Sequence, residues 1–334
     1  MRIAVVLGGA LVAGVFVAFA AGAAPKPAAT AATTATAAPA VTAAPYDSAW
    51  PQFSPDGQSL VFASTREEDD FEIYVMKADG TGAVRLTHAK GRDAHPIFTR
   101  DGKSILFQSP RSAGADPAAA SDPGAVDIYI MDADGSNQRP LITGPGFDGV
   151  PSLSRDGRTL AYMHGTPRGD GFHWEIHLAD ADGKNDRALT AGAWSSQVPV
   201  FDPAGGRIAL HADPKGRNQL FLMDLATRVL THLAASDAAD EVPSFSPDGR
   251  YVAFTSTRHG PRDLYRVDVT NGEVRQLTTN RDVWSQGGWS PDGRRIAFSA
   301  KVQGHDEIFL VDADAHASDG PAPTRLTHGS EGKP

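Results

Sequence analysis

Cysteine is absent from the sequence. That excludes disulfides, thiolate metal centres, a cysteine nucleophile and lipid attachment at an N-terminal cysteine. Positive charge is in deficit: 31 Lys and Arg stand against 40 Asp and Glu, a formal charge of −9. No basic cluster interrupts the chain, so nucleic acid is excluded as a partner, because phosphate neutralisation needs a basic surface. Short catalytic signatures are missing as well. There is no Gly-x-Ser-x-Gly elbow and no His-Glu-x-x-His pair, and Gly102-Lys103-Ser104 lacks the upstream glycine of a phosphate loop. His88, His95, His164, His173 and His177 are scattered without ligand spacing, so no metal and no other cofactor is expected.

Long apolar runs are confined to the beginning. Residues 1–23 place Ile3 to Ala23 behind the single basic Arg2, with small residues at Ala18-Phe19-Ala20 and Ala21-Gly22-Ala23. This reads as an export signal cleaved near residues 20–23. An uncleaved anchor is the alternative, since the run approaches membrane-spanning length. Either way the rest of the chain leaves the cytoplasm, and after cleavage no membrane insertion is expected. Residues 24–45, almost entirely Ala, Thr and Pro, cannot build a core and read as a disordered linker.

From residue 46 one phrase returns six times: Pro-x-Phe-Ser-Pro-Asp-Gly, an apolar run, Ile-Tyr-x-Met-Asp, Asp-Gly, then Leu-Thr. Its turn glycines are Gly57, Gly102, Gly157, Gly205, Gly249 and Gly293. A period near 45 made of short alternating strands predicts one four-stranded propeller blade per repeat. The expected fold is therefore all-β: a six-bladed β-propeller of four-stranded antiparallel blades over residues 46–328, with a short tail at 329–334. The first repeat opens with an inner-type strand and the last ends with an outer-type strand. No overlap of terminal strands is expected, and the first and last blades should meet through side-chain packing alone.

These repeats, carried by phrases such as Phe53-Ser54-Pro55-Asp56-Gly57 and Asp127-Ile128-Tyr129-Ile130-Met131, closely resemble the propeller repeats of the TolB family, the periplasmic component of the bacterial Tol–Pal system. The resemblance spans Tyr46 to His328. It implies a periplasmic, non-enzymatic binding protein that docks an envelope protein, Pal-like lipoprotein or similar, at the mouth of the central channel. The α/β domain that precedes the propeller in TolB has no counterpart in this sequence. Similar repeats occur in propellers attached to serine peptidases and in pectin-degrading lyases, which keeps a carbohydrate-binding or glycan-cleaving propeller open as the alternative.

In a meander, the links between blades and the loops from second to third strand share one face. The positions just before the inner strands therefore converge on the channel mouth. Candidate binding residues there are Trp50, Asp93, His95, Asp148, Gln197, Asp240, Glu241, Trp284 and Gln286. Arg66, Arg111 and Arg258, at the ends of second strands, lie on the same face. They read either as blade-to-blade partners of the aspartates or as a receptor for a partner carboxylate. The glycan alternative would use Glu241 with Asp240 or Asp148 as acid and base and Trp50 or Trp284 as a stacking surface. Asp93, Asp148 and Asp240 also fit simple capping of the strand entry. No catalytic residue is assigned, and the protein is expected to be a monomer.

Overall fold

A computed structural model describes residues 44–67, 70–111, 125–169, 171–192, 194–318 and 320–331, with backbone alone for Gln286 and Glu331. The expected signal, most of the linker and the last residues of the tail lie outside them. No helix among the described residues is long and apolar enough to cross a membrane.

Five repeats turn on the same local chemistry, and in the fourth Asp202 replaces the hydroxyl residue and accepts the Ala204 amide (3.0 Å). Ser54 Oγ donates to Asp56 Oδ1 (2.5 Å), which also accepts the Gln58 amide (3.0 Å), and Ser59 N donates back to Ser54 Oγ (3.0 Å). Gly57, at φ 72°, closes the turn. Ser246 and Asp248, and Ser290 and Asp292, repeat the arrangement. Asp132–Gly135 and Asp180–Gly183 are turns too, each closed by a bond from the glycine amide to the first aspartate's carbonyl (2.9 and 2.8 Å).

The strands follow in chain order. The first repeat holds β1 (Ser48–Phe53), β2 (Ser59–Ser64), β3 (Glu72–Lys77) and β4 (Val84–Arg85); the second holds β5 (Ala94–Phe98), β6 (Ser104–Ser109), β7 (Ala125–Asp132) and β8 (Arg139–Ile142). The third holds β9 (Gly146–Leu153), β10 (Thr159–Arg168), β11 (Gly171–Asp180) and β12 (Arg187–Ala188), and the fourth β13 (Ser196–Phe201), β14 (Arg207–Ala212), β15 (Gln219–Asp224) and β16 (Leu230–His232). The fifth holds β17 (Asp240–Phe245), β18 (Tyr251–Ser256), β19 (Asp263–Asp268) and β20 (Val274–Gln276), and the last β21 (Val283–Trp289), β22 (Arg295–Val302), β23 (His305–Asp312) and β24 (Thr324–Arg325). Each inner strand neighbours the next, and β21 neighbours β1.

Hydrogen bonding corrects the expected count. Four repeats, the first, fourth, fifth and last, form separate four-stranded blades; the second and third do not. They merge into one eight-stranded sheet, because β7 runs on and pairs in parallel with β9 through Ala125–Gly146 and Val126–Phe147. The structure thus has four independent blades and one composite sheet, not six equal blades. The physical reason is length. β7 and β9 are eight residues each, against five or six in most other strands of their kind, and the added residues meet edge to edge.

The outer strands are shorter than the Leu-Thr phrase suggested. β4, β12 and β24 have two residues each, and Leu86-Thr87 lies beyond β4. Thr87 Oγ1 instead accepts the Ile73 amide (2.9 Å) and donates to buried Glu72 (2.5 Å). Thr327 does the same with Ile308 and Glu307, and Thr278 with Leu264 and Asp263. The repeated acid and threonine are therefore one structural device that ties the outer edge to the third strand.

The core lies between sheets. Phe53, Leu60, Phe62, Tyr74 and Met76 pack with Ala297, Ile308 and Leu310 at the seam between the last and first repeats. Polar contacts add to that packing, contrary to the expectation of side chains meeting alone. Tyr46 N donates to Gly329 O (3.2 Å), Asp306 N to Asp47 Oδ1 (2.7 Å) and Trp50 N to Ser299 Oγ (3.3 Å). No strand pairs across the seam among the described residues.

Candidate functional site at the channel mouth

Five inner strands carry a bulge that the sequence did not announce. Trp50, His95, Val150, Val198 and Val242 have φ between 50° and 53°, and each precedes a proline. The ladder slips at the same place, between Ala49 and Gln52 in β1 and between Glu241 and Ser244 in β17. Valine is a rare occupant of this conformation, so the surrounding ring must enforce it. A bulge frees an amide from the ladder, and a side chain of the preceding repeat takes it. Ser299 holds Trp50 N, Gln108 Oε1 holds Val150 N (3.1 Å), and His211 Nδ1 holds Val242 N (3.2 Å). Repeated clamps of this kind join neighbouring repeats.

The His211 clamp has a pH dependence. Its acceptor is a ring nitrogen, and burial, opposed by Glu241 and Asp213, pushes the imidazole down to about 4. A base depressed in the fold takes up protons preferentially when unfolded. Its stabilisation is therefore complete above about pH 6.5 and lost as pH falls toward 4. Urea midpoints measured between pH 7 and 4 should fall by the equivalent of about 3 kcal/mol more for the wild type than for His211→Asn. Equal slopes would remove His211 as the cause.

Trp50, His95 and Trp284 are brought together. Trp50 lies 4.5 Å from the His95 ring and 5.3 Å from Trp284, and Phe71 joins at 5.2 Å. Trp284 arrives there because the register of β21 slips between Val283 and Ser285, making it an extra residue in the strand. Trp50 is buried, while His95 and Trp284 are half-buried. Desolvation, then the charge of Arg92, pushes His95 down to about 3, so it stands neutral at the mouth. The buried Trp284 Nε1 lies near Asp306 but has no hydrogen bond of normal geometry.

The acids and arginines tell a different story. Asp93 is fully buried against Arg111, and Asp240 against Arg258, whose Nη2 reaches both carboxylate oxygens at 3.0 Å. The guanidinium groups also stack on Phe107 and Tyr129, and on Phe254 and Tyr265. These pairs lie within one repeat, which corrects the expected blade-to-blade bridges. Burial lifts the Asp93 carboxyl to about 6 even though Arg111 opposes it. Arg66 has no aspartate at the equivalent position and lies over Tyr46, Phe62 and Tyr74.

Asp148 pairs with His164 (2.6 Å), whose pKa is raised by that bond. Glu241 is held by Asn218 (2.7 Å) and Arg262 (3.0 Å). Gln197 is half-buried in β13, and the side chain of Gln286 lies outside the description. Asp93 and Asp240 are thus tied to arginine, and Glu241 to Arg262 and Asn218, so each of these acids is already engaged. What it offers is an aromatic and largely neutral surface.

Sequence reasoning missed Arg92 and Phe71, which complete the cluster. It also missed a second network in the third repeat, where His164 and His177 lie 4.5 Å apart and Tyr162 donates to Asp186 (2.6 Å). Tyr162 and His177 stand where other repeats place Phe and Tyr, and that substitution was the available signal.

Comparison with known proteins places these observations. A family model described as TolB beta propeller domain matches residues 14–117 and 116–329. The TolB of Acinetobacter baumannii is similar in structure at a TM-score of 0.62 and 16% identity, over 84% of this chain and 66% of that one. The chain thus spans just under two thirds of that relative. A putative TolB from Agrobacterium tumefaciens gives 0.58 at 20% identity, over 74% and 87%. An oligogalacturonate lyase in complex with manganese gives 0.53 at 15%, over 80% and 90%. At such identities these likenesses show the fold alone. Among curated proteins none matches.

Proposed function

The chain belongs to the TolB beta propeller domain family, and on that premise we propose that it is a binding module of the bacterial periplasm. In this reading it docks an exported envelope protein, a Pal-like lipoprotein or similar, at the channel mouth and performs no chemistry. One observation carries the reading: Trp50, His95 and Trp284 converge into an aromatic cluster, while the neighbouring acids are consumed by internal ion pairs. Buried aromatic anchors beside a rigid scaffold are the usual hot spots of protein recognition. A preformed rim also spends little ordering entropy on binding. The apolar N-terminal segment and the likeness to TolB structures support a periplasmic setting.

The test is an in-cell crosslink and pull-down of the full chain beside a His95→Ala/Trp284→Ala double variant, with partners identified by mass spectrometry. We expect an exported lipoprotein to be recovered with the wild type and reduced at least tenfold with the variant, as loss of hot-spot side chains implies. Recovery of no envelope protein, or equal recovery with both, would overturn the proposal.

A further inference from the structure

Most arginines near the mouth are spoken for, and Arg92 is the exception that matters. It sits in the link just before β5, with its guanidinium carbon 4.9 Å from the Trp50 ring and 4.8 Å from Phe71. Unlike Arg111 with Asp93, Arg258 with Asp240 and Arg262 with Glu241, it has no carboxylate partner among the described residues. The acids whose fields reach it are already engaged. Asp306 is held by Lys301 (3.0 Å), and Asp47 accepts the Asp306 amide and lies 3.5 Å from His305.

Stacking on two rings orients the guanidinium and leaves its edge donors unspent. A planar fork of this kind matches a carboxylate in two-point contact. Arg92 is exposed, so those donors remain open to a ligand. Beside it stand the neutral His95 and the Trp284 ring, and all three side chains touch through Trp50. The local arrangement therefore presents an exposed cation where the chain as a whole is acidic.

We propose that Arg92 and the Trp50–Trp284–His95 cluster form a receptor for a carboxylate on an extended peptide segment, an Asp or Glu side chain or a chain terminus, of the docked protein. The choice of a peptide rests on the docking function proposed above, whereas the carboxylate requirement rests on Arg92 itself. This also relocates an expectation from the sequence. Partner-carboxylate recognition was considered for Arg66, Arg111 and Arg258. Arg111 and Arg258 are already paired internally, Arg66 spends its Nε on Ser64 Oγ (3.3 Å) away from the Trp50 cluster, and the role falls to a residue outside that repeated motif.

The experiment follows the tryptophan indole N–H signals of the full chain by ¹⁵N NMR, with Trp284 assigned through Trp284→Phe. The blocked peptide acetyl-Ala-Ala-Glu-Ala-Ala-amide is titrated beside its Gln counterpart and beside galacturonate. We expect saturable movement of the Trp284 indole signal with the Glu peptide, at least tenfold tighter than with the Gln peptide, and its loss in Arg92→Gln. Arg92→Lys keeps the charge without the fork and should restore only part of the affinity.

Equal binding of the Glu and Gln peptides, no saturable shift, or an unchanged response in Arg92→Gln would overturn the carboxylate receptor. Saturation by galacturonate without the peptide would overturn the peptide assignment. The pull-down separates the two levels. If the partner is lost from His95→Ala/Trp284→Ala but fully retained by Arg92→Gln, docking stands and the carboxylate receptor falls.

Discussion

Replacing Gly287 with alanine is expected to cost about 3 kcal/mol of folding stability, toward the upper end of overpacking penalties. An added Cβ would lie 1.8 Å from the carbonyl oxygen of Pro51 and 2.8 Å from both its carbonyl carbon and its Cγ. The obstacle is mostly backbone, so no rotamer change relieves it. Gly288 differs, because a Cβ there would meet the movable end of the Gln52 side chain, 2.2 Å from Oε1. Gly287 thus sets the distance of closest approach between the last repeat and the first. Urea unfolding should show a lower midpoint at an unchanged slope. Gly206→Ala, where a Cβ meets nothing within 4 Å, should change stability by less than about 0.5 kcal/mol. A loss below about 1 kcal/mol for Gly287→Ala would mean that the seam yields easily and does not set the ring's dimensions.

Arg258→Met should be at least as damaging, by about 4 kcal/mol. The substitution keeps an apolar stem over Phe254 and Tyr265 but strands Asp240, which is fully buried and keeps only Ser236 Oγ at 2.7 Å as a side-chain donor. Breaking a buried pair by removing one partner is far costlier than removing both. The double variant Asp240→Asn/Arg258→Met should therefore recover more than half of the loss in the same unfolding experiment. Failure of the double variant to recover would show that the arginine acts through packing, not by neutralising the acid.

Much of the architecture could be read from the residues. The Asp-Gly turns of five repeats, the all-β character and the order of strands follow from local chemistry that the repeats carry for themselves. The fusion of the second and third repeats did not, because pairing of β7 with β9 depends on where two strand ends meet in space. No local pattern at Ala125 or Gly146 announces it. The bulge at Trp50, His95 and the three valines was hidden for a related reason. A proline after an arbitrary residue suggests extended backbone, and only the closed ring imposes the left-handed turn.

At the mouth, the aromatic members of the cluster were legible because Trp50, His95 and Trp284 broke the repeat. That the arginines pair with Asp93 and Asp240 was legible from the repeat, but not that each pair lies within one repeat, 18 residues apart. Arg92 was passed over because nothing in its own neighbourhood of sequence distinguishes an arginine that is neutralised from one that is not. That distinction is a property of the assembled surface.

The pairing of β7 with β9 also bears on how such a ring could gain or lose units. In a repeat array, each unit is stabilised by its own interior and by contact with its neighbours. Where sheets meet through side chains and single clamped amides, one unit can be exchanged for another if its flanks still fit. At the join of the second and third repeats the interface is main chain bonded to main chain. Those two repeats share a ladder, and they would be inherited, inserted or deleted as a pair.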